Sequence, residues 1–185
     1  MKKQLAGIIT AAALLSLYGC QSTSVKDNVA TIPDMNNQDL YEVSHEGRYY
    51  VFDDFKVYQE FLTVGETSYR KVLIGGGPNG QTLVYGLRGV DKKKLSGVAA
   101  EEMFKGSLQA ADPFYGEIRA DDGRLYVFDS LDDMKAMRMV GEAPYRYTDI
   151  GTGPDKQTVV YVLNKQNKKY KPEALMMKFK QHYNL

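Results

Sequence analysis

From Tyr41 onward the spacing of apolar residues changes period several times within about seventy residues, and the same series then runs again. Residues 41–52 hold two runs rich in Tyr and Val on either side of the polar His45, Glu46 and Gly47, a pattern that predicts a β-hairpin. Asp54 then opens a stretch whose apolar residues, Phe55, Tyr58, Phe61 and Leu62, fall at helical spacing until Gly65, so a helix with an N-cap and a glycine stop is expected. Residues 69–74 and 81–87 are dominated by β-branched and aromatic types and flank a glycine-rich link in which Pro78 and Asn79 suit the centre of a turn. Residues 96–105 read as a closing helix.

Laid over residues 123–163 at an offset of 76, residues 47–87 match without a gap. GRYYVFD faces GRLYVFD, VGETSYR faces VGEAPYR, and IGGGPNGQTLVYGL faces IGTGPDKQTVVYVL, so that twenty of the forty-one pairs are identical. Ser130 takes the place of Asp54 as cap, Leu131, Met134 and Met137 take the helical apolar positions, Gly141 replaces Gly65, and residues 120–123 replace the first turn. The last helix, residues 172–183, aligns with residues 96–105 at an offset shortened to 75, which pairs Phe104 with Phe179. A repeat of this length points to a tandem duplication of a ββαββα unit. The expected fold is α+β, with antiparallel sheets packed face to face about a pseudo-twofold axis, copy 1 at residues 41–110 and copy 2 at residues 111–185 forming one globular body.

Ahead of the repeat lies a different pattern. Lys2 and Lys3 precede an almost unbroken apolar run, residues 5–17, too short to cross a bilayer and shaped like an export signal. It ends in Leu17, Tyr18, Gly19 and Cys20, and these four residues resemble the lipobox of bacterial lipoprotein precursors. The resemblance covers only the N-terminus. It implies that residues 1–19 are removed between Gly19 and Cys20, that the Cys20 thiol carries a diacylglycerol and its new amino group an acyl chain, and that Gln21, rather than Asp, directs the product to the outer membrane; the folded part is expected to face the periplasm. Several acyl chains at about 0.8 kcal/mol per buried methylene anchor a protein firmly. Residues 20–40, rich in Ser, Thr, Asn, Gln and Asp, read as a flexible tether behind the lipidated cysteine.

Composition narrows the chemistry. Without Lys2 and Lys3 the chain keeps 22 Lys plus Arg against 23 Asp plus Glu, so no nucleic-acid footprint is expected. Cys20 is the only cysteine, which excludes disulfides within the chain and thiolate metal sites. The segment GGGPNGQT, residues 75–82, looks like a phosphate loop but has Gln81 where the lysine belongs, and a strand rather than a helix is predicted after it; no nucleotide is expected. Met134, Met137 and Met139 have a spacing that offers thioethers to Cu(I), yet Tyr58, Phe61 and Thr63 stand at the matching positions, two of them core types, so no metal or other cofactor is assigned. His45 and His182 have no counterparts in the other copy, and neither HExxH nor GxSxG occurs.

Asp53, Asp129, Glu66 and Glu142 offer paired carboxylates of the kind hydrolases use. The plainer expectation is that Asp53 and Asp129 cap helices and that Glu66 and Glu142 pair with Arg70 and Arg146 four residues on. The repeated polar residues without a core role are Arg48 and Arg124, Glu66 and Glu142, Arg70 and Arg146, and Gln81 and Gln157, with Tyr69 and Tyr145 beside them. Arg and Tyr combine contact area with directed hydrogen bonds and anchor partners well; the competing role for the set is to stitch the two copies together. Fourteen tyrosines and no tryptophan suit a wet interface. The sequence therefore points to a non-catalytic lipoprotein, held at the membrane by its lipid anchor, whose duplicated domain contacts an envelope protein or polymer. The alternative is a periplasmic carrier of a small ligand or copper, and a hydrolase comes third.

Overall fold

The computed structural model of the chain describes residues 35–185. The export signal, the lipobox with Gly19 and Cys20, and most of the tether lie outside the described residues. The end of the tether is not a free leash: Met35 packs against the core, the Asn36 side chain donates to the Asp53 carbonyl, and Asn37 donates to the Gln109 carbonyl at 2.9 Å.

The predicted elements form in the predicted order. Strands β1 (Asp39–His45) and β2 (Arg48–Phe52) make an antiparallel hairpin whose two turn residues, Glu46 and Gly47, both have positive φ, the geometry of a tight hairpin turn. Helix α1 (Phe55–Val64) starts at Asp54, whose carboxylate accepts from the Val57 N–H, and stops at left-handed Gly65. Strands β3 (Arg70–Leu73) and β4 (Thr82–Gly86) pair antiparallel, and α2 (Ala99–Lys105) closes the first half. The second half follows the same course: β5 (Tyr115–Arg119), β6 (Leu125–Phe128), α3 (Leu131–Val140) between Ser130 and Gly141, β7 (Tyr145–Asp149), β8 (Val159–Leu163) and α4 (Glu173–Tyr183).

The assembly of these elements departs from the expected packing. All eight strands share one sheet, in the order β3-β4-β2-β1-β5-β6-β8-β7, and it is mixed rather than antiparallel: β1 runs parallel to β5, β2 to β4, and β6 to β8. The halves meet edge to edge through β1 and β5 instead of face to face. The reason lies in those two strands, which bury apolar side chains on both sides: Leu40 and Tyr41 are fully buried on opposite faces, and Tyr115 of β5 and Phe114 just before it are buried in the same way. A strand of this kind has to sit inside a sheet covered on both faces.

Helices cover the two faces in an exchanged order. Tyr58 and Phe61 of α1 share a core with Leu175, Met176 and Phe179 of α4, whereas Ala99 and Met103 of α2 pack with Met134 and Met137 of α3 on the other side. The palindromic strand order, the parallel β1–β5 contact and this exchange of faces are what a twofold axis lying in the sheet, along the strands, generates. The closing helices keep the 76-residue offset and do not shorten to 75: buried Ala99, Ala100 and Met103 correspond to buried Leu175, Met176 and Phe179, so Phe104 is not the partner of Phe179.

Where the halves carry different residues, local space explains the choice. Gly86 of β4 corresponds to Val162 of β8, and a Cβ on Gly86 would lie 2.2 Å from the Phe52 ring. Gly86→Val is expected to destabilise the protein by about 2 kcal/mol through overpacking, read as a lowered midpoint in urea unfolding; an unchanged midpoint would show that Phe52 can turn aside.

Candidate functional site

The sheet extends beyond its helices. On the face carrying α1 and α4, the first half leaves part of β2, β4 and β3 bare past the C-terminal end of α1, and a groove of about 310 Å³ opens there. Its floor is Tyr50, Val72 and Val84, and Arg48, Glu66 and Arg70 stand around it. Three of the repeated polar residues thus come together, each on the element that the repeat predicts: Arg48 at the start of β2, Arg70 at the start of β3, and Glu66 directly after the glycine that ends α1. The expected Glu66–Arg70 ion pair does not form, and among the described residues neither Arg48 nor Arg70 has a carboxylate within ion-pairing distance.

In the second half the same residues are occupied by their own surroundings. Arg124 pairs with Asp122 at 3.2 Å, and the Arg146 guanidinium donates to the Ala143 carbonyl at 2.9 Å. Glu142 and Tyr145 border a different groove, about 450 Å³ in volume and lined by apolar Ala136, Met137, Val140, Pro144 and Leu163. Its counterpart beside Tyr69 is smaller, about 320 Å³, and more polar, with Glu60, Thr67 and Ser68 in the matching wall. Lys92 lies 5.3 Å above the Tyr69 ring and Lys168 lies 4.2 Å above Tyr145, so both tyrosines already hold a cation.

Gln81 and Gln157 serve the scaffold. Each folds back into its own hairpin link, Gln81 Oε1 accepting from the Asn79 N–H at 2.7 Å and Gln157 Oε1 from the Asp155 N–H at 2.8 Å. A Cβ at Gly77 or Gly153 would strike that glutamine at 2.8 or 2.6 Å, so the glycines and glutamines recur together as one turn device. The resemblance of residues 75–82 to a phosphate loop ends in the same device, since the segment leads into β4.

The two halves are not joined by the repeated surface residues. Two buried carboxylates that sequence reasoning missed hold the seam. Glu42 of β1, fully buried, accepts from the Tyr49 hydroxyl at 2.5 Å and from both Nε and Nη2 of Arg138, which reaches across from α3. Glu117 of β5, also fully buried but on the opposite face, accepts from the hydroxyls of Tyr115 at 2.5 Å, Tyr183 at 2.6 Å and Tyr58 at 3.1 Å, the last carried by α1 of the first half. Tyr58 in turn accepts from Arg119 Nε at 2.9 Å. Burial raises the Glu117 pKa, with the tyrosine hydroxyls and Arg119 pulling against it, and burial together with the Glu117 charge holds Tyr58 and Tyr115 well above the ordinary phenol range, as donors. Glu42 faces Val51 and Glu117 faces Val127, and these valines correspond across the halves, so the two glutamates are equivalent at an offset of 75. That signal is legible in the sequence once the first turn of the second half is allowed one extra residue.

Asp53 and Asp129 cap neither α1 nor α3; Asp54 and Ser130 do. Asp53 is buried beside Arg88 and the Ala100 N–H at the start of α2, one of its oxygens has no hydrogen-bond partner, and burial pushes its pKa up to about 6, with Arg88 opposing and Asp91 adding to the rise. The strand order sets Asp53 and Asp129 at the ends of β2 and β6 with β1 and β5 between them, and Glu66 and Glu142 near opposite edges, so the four carboxylates do not converge. Met134 and Met137 are buried in the core while Met139 is 80% exposed, which divides the thioether set. Among the described residues no group of three or more His, Cys, Asp and Glu is placed to hold a metal ion, and no helix is long and apolar enough to cross a membrane. Comparison with protein-family models, with curated proteins and with solved structures finds no match.

Arg138→Met should cost about 3 kcal/mol, because it strands the Glu42 charge in the core, and Glu42→Gln in the same chain should restore part of that loss. Chemical unfolding of both singles and the double tests the coupling; additive losses would mean that the pair does not act as a unit. A second measurement concerns Asp53. Its folded pKa is raised, so its stabilising contribution is complete below about pH 4 and declines as pH rises to about 6. Asp53→Asn should therefore match wild type at pH 4 and exceed it by about 2 kcal/mol at pH 7.5. Greater wild-type stability at pH 7.5 would show that the Arg88 contact outweighs desolvation.

Proposed function

We propose that this chain is a lipid-anchored lipoprotein of the cell envelope, fixed through Cys20 to the outer membrane and facing the periplasm, and that its folded body is a non-catalytic binding module. The body descends in this reading from tandem duplication of a ββαββα unit, supported by the twenty identical pairs and the matched element order. The partner is a protein or polymer of the envelope. The observation that carries the reading is the bare groove of the first half, where Arg48, Glu66 and Arg70 keep their charges unpaired on an exposed patch of sheet. Unspent guanidinium groups beside apolar and aromatic floor residues are typical of contact surfaces. The buried carboxylates support it from the other side, since Glu42 and Glu117 are committed to tyrosine and arginine partners within the fold.

The lipobox resemblance of residues 17–20 supports the anchor. A second reading, a small-ligand carrier, draws on one observation: the apolar groove beside Tyr145 has the volume of a small-molecule site.

The test is crosslinking in intact cells with a photoreactive group at Thr82, on the groove wall, followed by mass spectrometry. A discrete adduct is expected for wild type and should fall at least about fivefold in Arg48→Glu/Arg70→Glu. Labelled palmitate should enter wild type and not Cys20→Ala. An adduct pattern unaffected by the double reversal refutes the groove as the contact, and label in the cysteine variant refutes the anchor.

A further inference from the structure

The two outer strands of the sheet occupy equivalent places, yet they present different edges. In β7 the positions after Arg146 and Tyr147 are Thr148 and Asp149, a polar pair that discourages strand addition. In β3 the same positions hold Val72 and Leu73, which are 50% and 46% exposed, while beyond them both edges end in an exposed isoleucine, Ile74 and Ile150. The pairing register shows which backbone groups are free. Leu87 N–H donates to the Tyr69 carbonyl at 2.8 Å, so Tyr69, Lys71 and Leu73 turn their amides toward β4, while Arg70 and Val72 turn theirs outward. The residues with open backbone groups are the same two whose side chains line the charged groove.

The two faces of this edge differ in chemistry. On the groove face stand Arg70 and, two strands inward, Arg48, neither with a carboxylate partner among the described residues, while Glu46 and Glu66 line the same groove without pairing with either. On the opposite face Lys71 is consumed by Glu101 at 2.5 Å and by the Leu95 carbonyl at 2.8 Å, which leaves Leu73 and the 90% exposed Leu95 as apolar surface. A strand laid against β3 would meet the unpaired Arg70 on one side and aliphatic carbon on the other.

We propose that β3 is a docking edge for an extended acidic peptide segment of a partner protein, added as a ninth strand with acidic side chains facing the unpaired Arg70 and apolar ones facing Leu73. This rests on reading the body as a binding module and specifies its partner. Backbone hydrogen bonds to Arg70 and Val72 supply affinity, and the alternation of side chains supplies selectivity.

The experiment uses the full chain in detergent micelles and a fluorescein-labelled nine-residue peptide of alternating Val and Glu, followed by anisotropy. Saturable binding is expected, with the Val/Lys counterpart at least about tenfold weaker. Val72→Pro removes an outward N–H without touching the β4 ladder and should weaken binding by about tenfold, whereas Thr148→Pro on the other edge should leave it unchanged. Methylating the peptide's amides on either the Val or the Glu positions should abolish binding in one series only, since only one set faces β3. Equal binding of the Val/Lys peptide, indifference to Val72→Pro together with both methylated series, or a dimer in sedimentation that Val72→Pro dissociates and the peptide does not would each overturn the proposal, the last in favour of a second copy on this edge. A groove-dependent crosslink in cells without any peptide binding would overturn it while leaving the binding-module reading intact.

Discussion

Two carboxyl groups buried at the middle of the sheet set the terms for the whole body. Glu42 and Glu117 lie on adjacent strands, β1 and β5, but point to opposite faces, and each takes a hydrogen bond from a helix of the other half: Arg138 of α3 for Glu42, Tyr58 of α1 for Glu117. A carboxylate short of partners in such a place costs stability, and each half completes the hydrogen bonding that the other half's own tyrosines begin. The hydrophobic faces of β1 and β5 bring the halves into contact, and the reciprocal polar contacts fix their register. This makes one cooperative body out of two similar sequences.

The exchange of faces has a second effect. Because the equivalent surfaces of the two halves lie on opposite sides of the sheet, residues repeated in the sequence are far apart in the fold and free to diverge. The Arg48 groove stays open while Arg124 is closed by Asp122. The Tyr145 groove is lined by Ala, Met, Val and Pro where the Tyr69 groove has Val, Glu, Thr and Ser. Identity in the repeat therefore marks the frame in some places, as with Gln81 and Gly77, and leaves a usable surface in others.

Much of the local structure is legible from single residues. Asp54 and Ser130 cap their helices, Gly65 and Gly141 stop them, and Glu46 and Gly47 turn the first hairpin, because each of these roles depends on groups only a few residues away. Sheet order is a different matter. Nothing in the period of β1 says that its second edge will take β5 in parallel, since a strand buried on both faces is satisfied by any neighbour that brings apolar covers. The central glutamates escape notice for a simpler reason: the turn between β5 and β6 is one residue longer than that between β1 and β2, so a gapless offset sets Glu42 against Ile118 instead of Glu117. Asp53 resembles a helix cap by position, and only its burial against α2 reveals a carboxyl whose pKa is pushed up to about 6. The glutamines of the hairpin links look like surface polar residues until the adjoining glycines are seen to leave room for them.

The placement of β1 also governs how the body carries force. Residues 35–38 lead directly into a strand held between β2 and β5, with five residues of β1 paired to each neighbour. Tension drawn along the chain from this side acts along β1 and loads both ladders at once, in shear, so the strand can slip only if many hydrogen bonds break together. Had the chain entered at β3 or β7, the same pull would peel an outer strand one bond at a time. The entry point sits where a load on the chain is borne by the strongest part of the sheet.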